Sequence, residues 1–164
     1  MQWTDICARA GVETADFTAA PLYPDDVTHR LIGAAADTLG LTVQETLEAL
    51  GEHMVLHGLR VHYGELLALG GRTLRDFLLN LENLHTRLHL VQPQMEIPLL
   101  YCVGAPEGGL CLHYHSHCPE LAPLVVGMLK GLSQVFRTPV QVTRQAAREQ
   151  GAEHDEFLIQ FQAA

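Results

Sequence analysis

From Asp25 to about Leu69 the apolar positions recur at helical intervals. Asp25 can cap a segment containing Leu31, Ile32, Ala35 and Leu39, and Gly40 stands where a helix-ending glycine belongs. Thr42 and Glu45 form a capping-box pair beside Val43, Leu47, Leu50 and Met54, and Leu59 to Leu69 reads as a short helix before the Gly70-Gly71 break. Thr73 and Asp76 repeat the capping pair. They open a helix, ended by Pro93, with Leu74, Phe77, Leu78, Leu81, Leu84 and Leu88 on one face and His85 on that same face. The period then changes. Leu99 to Val103 and Leu110 to Ser116 predict a hairpin around the turn Ala105-Pro106-Glu107-Gly108-Gly109. Pro119 starts a further helix with the stripe Leu121, Leu124, Val125, Met128, Leu129, Leu132 and Phe136. Val140 and Val142, then Phe157, Ile159 and Phe161, predict a second antiparallel pair. This order predicts an α+β domain: helices first, then helices packed on an antiparallel sheet of about four strands, with a crevice between the halves as a ligand site.

Composition narrows the class. A chain of 164 residues, 48% hydrophobic and 18% charged, has the size and apolar content of one folded domain. The longest apolar stretch, Leu121 to Leu132, is short and carries Lys130, which argues against a membrane span. Met1-Gln2-Trp3-Thr4-Asp5 lacks the basic-then-apolar pattern of a secretory signal, so a cytoplasmic location is expected. With a net charge of −9 and no basic block, nucleic acid is not an expected partner. Cys7, Cys102, Cys111 and Cys118 contain no CxxC pair and read as thiols rather than a disulfide framework. No P-loop, GxSxG or comparable catalytic motif occurs, so the chain does not read as an enzyme. The ten histidines turn attention to metals and cofactors.

Taken alone, a histidine at position 85 is more often a satisfied core residue than a ligand. His89 follows one turn later, and His53 and His57 have the same spacing; such pairs chelate zinc only when further ligands join them. Strand alternation places Cys111, His113, His115 and His117 on one face and Leu110, Leu112, Tyr114 and Ser116 on the other. The first face has donors suited to zinc or copper. The second ends in two hydroxyls beside a helix start, a place that favours an anion.

His85 within Asn80-Leu81-Glu82-Asn83-Leu84-His85, Pro98 beyond it and Tyr114-His115-Ser116 at a strand end together resemble the heme-nitric oxide/oxygen binding (H-NOX) domain. The resemblance extends through Tyr23-Pro24-Asp25-Asp26, Leu31-Ile32-Gly33-Ala34-Ala35, Tyr63-Gly64-Glu65-Leu66-Leu67, Leu121-Ala122-Pro123-Leu124-Val125-Val126-Gly127 and Phe157-Leu158-Ile159. It is shared with the heme domain of the soluble guanylate cyclase beta subunit. It implies one domain over 1–164, with a short distal helical part over 1–57 that lacks the family's usual first helix ahead of Trp3 to Gly11, and proximal helices and sheet over 58–164.

By that resemblance, His85 is the proximal ligand of a ferrous heme b, Leu81 and Leu84 flank it, and Pro98 packs on and distorts the macrocycle. Tyr114 and Ser116 match two of the three propionate contacts in the family's Tyr-x-Ser-x-Arg signature; Cys118 holds the arginine's place and cannot make its charged bidentate contact. Pro123 holds the place of the distal tyrosine that hydrogen-bonds dioxygen, so NO and CO are the implied ligands. In the family's mechanism NO weakens the bond to the proximal histidine and the helix carrying it shifts. A separate histidine kinase or diguanylate cyclase is the implied partner. The alternative is a heme-free metal or thiol redox sensor on the same fold, with zinc on the Cys and His residues.

Overall fold

The computed structural model describes residues 2–13, 24–59, 70–91 and 98–162. Its elements are α1 (Gln2–Ala10), α2 (Asp25–Leu39), α3 (Val43–His53, running into a π-helical turn Met54–Leu59), α4 (Leu74–Leu79), α5 (Leu81–Val91), β1 (Leu99–Gly104), β2 (Leu110–His115), α6 (Ala122–Val135), β3 (Val140–Ala146) and β4 (Asp155–Phe161). The four strands form one antiparallel sheet in the order β1-β2-β4-β3. The α+β class is therefore as expected. No helix among the described residues is long and apolar enough to cross a membrane.

Local chemistry sets the helix ends. Thr42 accepts the Glu45 N–H while the Glu45 carboxylate accepts from the Thr42 N–H, a complete capping box. Gly40 ends α2 at φ 67°, the left-handed region that glycine enters without strain. Thr73 caps α4 by accepting from the Asp76 N–H at 3.1 Å.

The structure corrects several expectations. Asp25 is the first residue of α2 rather than its cap, which is Pro24, and no side chain caps that end. The helix expected from Thr73 to Pro93 is two helices broken at Asn80, whose φ of −100° and ψ of 6° leave the helical region. The Asn80 amide donates to the Gly70 carbonyl, and its side-chain oxygen accepts from Asn83, so polar side-chain bonds compete there with the helical ladder. The segment predicted as helical over Leu59 to Leu69 lies, beyond residue 59, outside the described residues, as do Tyr23, Tyr63 and Pro93. The helix α1 covers most of the Trp3 to Gly11 region, for which the apolar pattern marked no separate helix, within the helical part expected over 1–57.

The main core joins both parts of the chain. Val55, Leu74, Phe77, Leu78 and Leu84 from the helices meet Leu110, Leu112, Tyr114, Phe157 and Ile159 from the sheet, with Ala122, Val125, Leu129 and Leu132 from α6. A smaller cluster, Ile6, Ala10 and Ala34, joins α1 to α2. The two are bridged by α3, which packs closely along α6 because glycines stand at the crossing: Gly51 against the Leu124 backbone, Gly127 against the Glu48 backbone and Gly131 against Val55 and Glu52. Lys130 to Glu48, 2.5 Å apart, and Gln134 to Glu52 strap the same interface at its rim.

A candidate heme-ligand histidine and an outer-face histidine cluster

His85 sits in the first turns of α5 directly after the buried Leu84, and Leu81 packs against the same core. The ring is half-buried, and its Nδ1 has no hydrogen-bond partner among the described residues. Burial alone pushes its pKa below the ordinary histidine range. The imidazole is therefore neutral at pH 7, the protonation state in which it ligates a metal. His89, one turn on, is exposed, and so are His53 and His57, whose rings lie 4.3 Å apart on the helix surface. Pro98 directly precedes β1, the strand against which α5 packs.

At the end of β2 the two expected hydroxyls come together. Tyr114 is buried, and burial raises its pKa against the opposing effect of a hydrogen bond with Ser116. The strand stops at His115, so Ser116, His117 and Cys118 form a turn instead of continuing the alternation. In that turn the Ser116 Oγ accepts the Cys118 N–H at 3.0 Å, and the Cys118 thiol lies 3.7 Å from the Asp25 carboxylate at the start of α2. A guanidinium does reach this turn: Arg148 donates to the Ser116 carbonyl. Its backbone N–H donates to the buried Asp155 carboxylate, which also accepts from Arg144. This contact was not visible in the sequence, because Arg148 is 30 positions beyond Cys118 and only the β2–β4 pairing brings them close. Pro123 lies elsewhere, lining a cleft with Glu48, Lys130 and Arg144.

The expected metal-bearing face of β2 is only partly assembled. Cys111, His113 and His115 share it, but His117 is in the turn and exposed. His113 is joined by His154 and Glu156 from the far end of the chain. Burial raises the pKa of Cys111 and lifts that of Cys102 to about 12, so neither is a reactive thiolate at neutral pH. The four cysteines form no disulfide.

Three comparisons bear on this arrangement. The model of the haem-NO-binding family matches residues 1–144. The soluble guanylate cyclase gcy-31 of Caenorhabditis elegans is 29% identical over 141 residues, covering 85% of this chain and 20% of that protein; gcy-37 of the same organism is 30% identical over 165 residues, covering 95% and 23%. The chain thus spans about a fifth of the length of these curated relatives. Among solved structures, an H-NOX protein from S. oneidensis in the Fe(II)NO ligation state superposes with a TM-score of 0.87 at 17% identity, covering 99% of this chain and 89% of that one. The Fe(II) unliganded H-NOX protein from K. algicida gives 0.84 at 17% identity, covering 99% and 87%. With a family model matched over residues 1–144, which include α1 to α6 and His85, the chain belongs to the haem-NO-binding family.

Proposed function

We propose that this chain is a heme-based sensor of NO and CO, with His85 as the iron ligand. The observation that carries this is the neutral, half-buried imidazole of His85, its Nδ1 without a partner among the described residues, on the helix of a haem-NO-binding domain. When bound, heme b would supply a ferrous iron able to take a diatomic gas. Leu81 and Leu84 would help keep water from a heme held at His85, and Pro98, directly before β1, would pack on it. Tyr114 and Ser116 supply hydroxyls for the propionates, and Arg148 supplies the guanidinium that Cys118 does not. Pro123, which holds the distal tyrosine's place in the resemblance, has no hydroxyl and lines a separate cleft, so it offers nothing to dioxygen.

The family's sensing domains are not themselves catalytic, and the output belongs to a partner: a guanylate cyclase region, as in the relatives, or a separate histidine kinase or diguanylate cyclase. The path to it begins at α5. Leu84 shares one packed core with Leu74, Phe77, Tyr114 and α6, so a displacement of α5 at His85 would pass by direct packing into the sheet and α6. Burial that raises the pKa of Cys102 and Cys111 speaks against those two as the reactive thiols of the alternative redox sensor.

Gas selectivity tests the proposal. The reduced, heme-loaded protein is expected to form a stable CO complex and no stable oxygen complex in air, read by absorption. A long-lived oxygen complex would mean that another donor occupies the distal side. Cys118→Arg is expected to slow heme transfer to apomyoglobin by roughly tenfold, about 1.4 kcal/mol, the low end for a charge-assisted bond at a half-exposed site. Asp25, already beside Cys118, competes for that arginine. The effect should therefore grow in Cys118→Arg with Asp25→Asn, and an unchanged rate in both variants would leave Arg148 as the sole cation on the propionates.

A further inference from the structure

On the sheet face turned away from the core, the strand register aligns a second set of side chains. Tyr101, His113 and Glu156 stand opposite one another across β1, β2 and β4. Their neighbours Leu112, Tyr114, Asp155 and Phe157 are buried on the inner face. His154 directly precedes β4, and its ring stacks on His115 with centroids 4.1 Å apart, while Tyr101 stacks on His113 at 4.8 Å. These stacks fix both imidazoles. His113 Nδ1 lies 2.8 Å from His154 Nε2; Glu156 Oε1 lies 3.3 Å from the latter and 3.5 Å from the former.

We propose that His113, His154 and Glu156 form a binding site for a divalent transition metal of the zinc class, separate from the cofactor site at His85. A tetrahedral ion with bonds of about 2.0–2.1 Å holds its ligand atoms roughly 3.3 Å apart. Two of the three separations already have that value within a few tenths of an ångström, and the third needs to open by about half an ångström. The contact between the two rings accommodates one proton, so one of the facing nitrogens presents a bare lone pair, as a metal ligand must. Two imidazole nitrogens with one carboxylate suit a borderline ion rather than magnesium or calcium, which prefer oxygen ligands. Three protein ligands leave a fourth position for water. His115 acts as a positioning residue through its stack on His154.

The test uses the untagged chain and Co²⁺ as a spectroscopic probe, with Zn²⁺ as competitor. The parent is expected to take up one Co²⁺ per chain with the intense visible bands of a four-coordinate ion, displaced by one equivalent of Zn²⁺. His154→Ala and Glu156→Gln, each checked for folding by circular dichroism, should weaken binding at least about tenfold. His85→Gly and the double variant His53→Ala/His57→Ala should keep it, so the site stands or falls independently of the heme. No stoichiometric uptake by the parent, unchanged binding in both His154→Ala and Glu156→Gln, or loss of binding in the His53/His57 variant would overturn the proposal.

Discussion

His85→Gly is expected to retain less than about a tenth of the parent's heme after purification, and to regain a five-coordinate ferrous spectrum when imidazole is supplied. The expectation follows from the surroundings of the ring. His85 is held on α5 with Leu84 in the core beneath it, so shortening its side chain opens a space whose walls stay in place. Free imidazole can enter that space and present the same nitrogen donor. The polypeptide should still fold: His85 is half-exposed, its Nδ1 has no partner to lose among the described residues, and glycine inside a helix costs about 1 kcal/mol relative to alanine. A circular dichroism spectrum like the parent's therefore separates loss of the ligand from loss of structure. Unchanged heme content and spectra in the variant would dismiss His85 as the ligand.

Gly127→Ala is expected to give the largest loss of stability from adding a single carbon. A Cβ at this position would overlap the Glu48 carbonyl oxygen on α3, and a backbone atom cannot rotate away as a side chain can. The helices must separate, which loosens α6 over the sheet as well as α3 over α6. A net cost of about 3 kcal/mol follows, after crediting alanine's better helix propensity, and for a domain of this size it lowers the melting temperature by roughly 6–12 °C. Gly33→Ala is the control. No atom of the described residues lies within 4 Å of a Cβ there, so the same substitution should be neutral or stabilising by up to about 1 kcal/mol. Equal melting temperatures for Gly127→Ala and the parent would show that the α3–α6 crossing is looser than described.

Much of this architecture follows from patterns in the chain. The capping pair at Thr42 and Glu45, the glycine at position 40 and the alternation along β2 each reflect local chemistry, and each element forms where those signals stand. What escaped depends on contacts distant in sequence. The α3–α6 crossing rests on Gly127 and Gly131, one turn apart on a stripe that otherwise reads as an ordinary apolar face; small residues at that spacing were the available signal. Asn80 breaks a pattern whose hydrophobic period continues uninterrupted, because periodicity records which face is buried and not whether the backbone stays helical. His85 was legible only through the surrounding motifs, since one imidazole on an apolar face has no signature of its own. The histidine face of β2 was legible in half. Alternation selected His113, but its partners His154 and Glu156 arrive by the β2–β4 register, and His117 was lost to a turn that alternation cannot foresee.

The central claim is that this domain holds a ferrous heme through His85 and responds to NO there. Its most direct test is the heme stoichiometry of the protein, with the absorption spectrum of the reduced form before and after NO. One heme per chain, five-coordinate when reduced and shifting to a five-coordinate nitrosyl with NO, is the predicted result. A chain that takes up no heme when heme is abundant, or whose reduced spectrum does not change with NO, would contradict it.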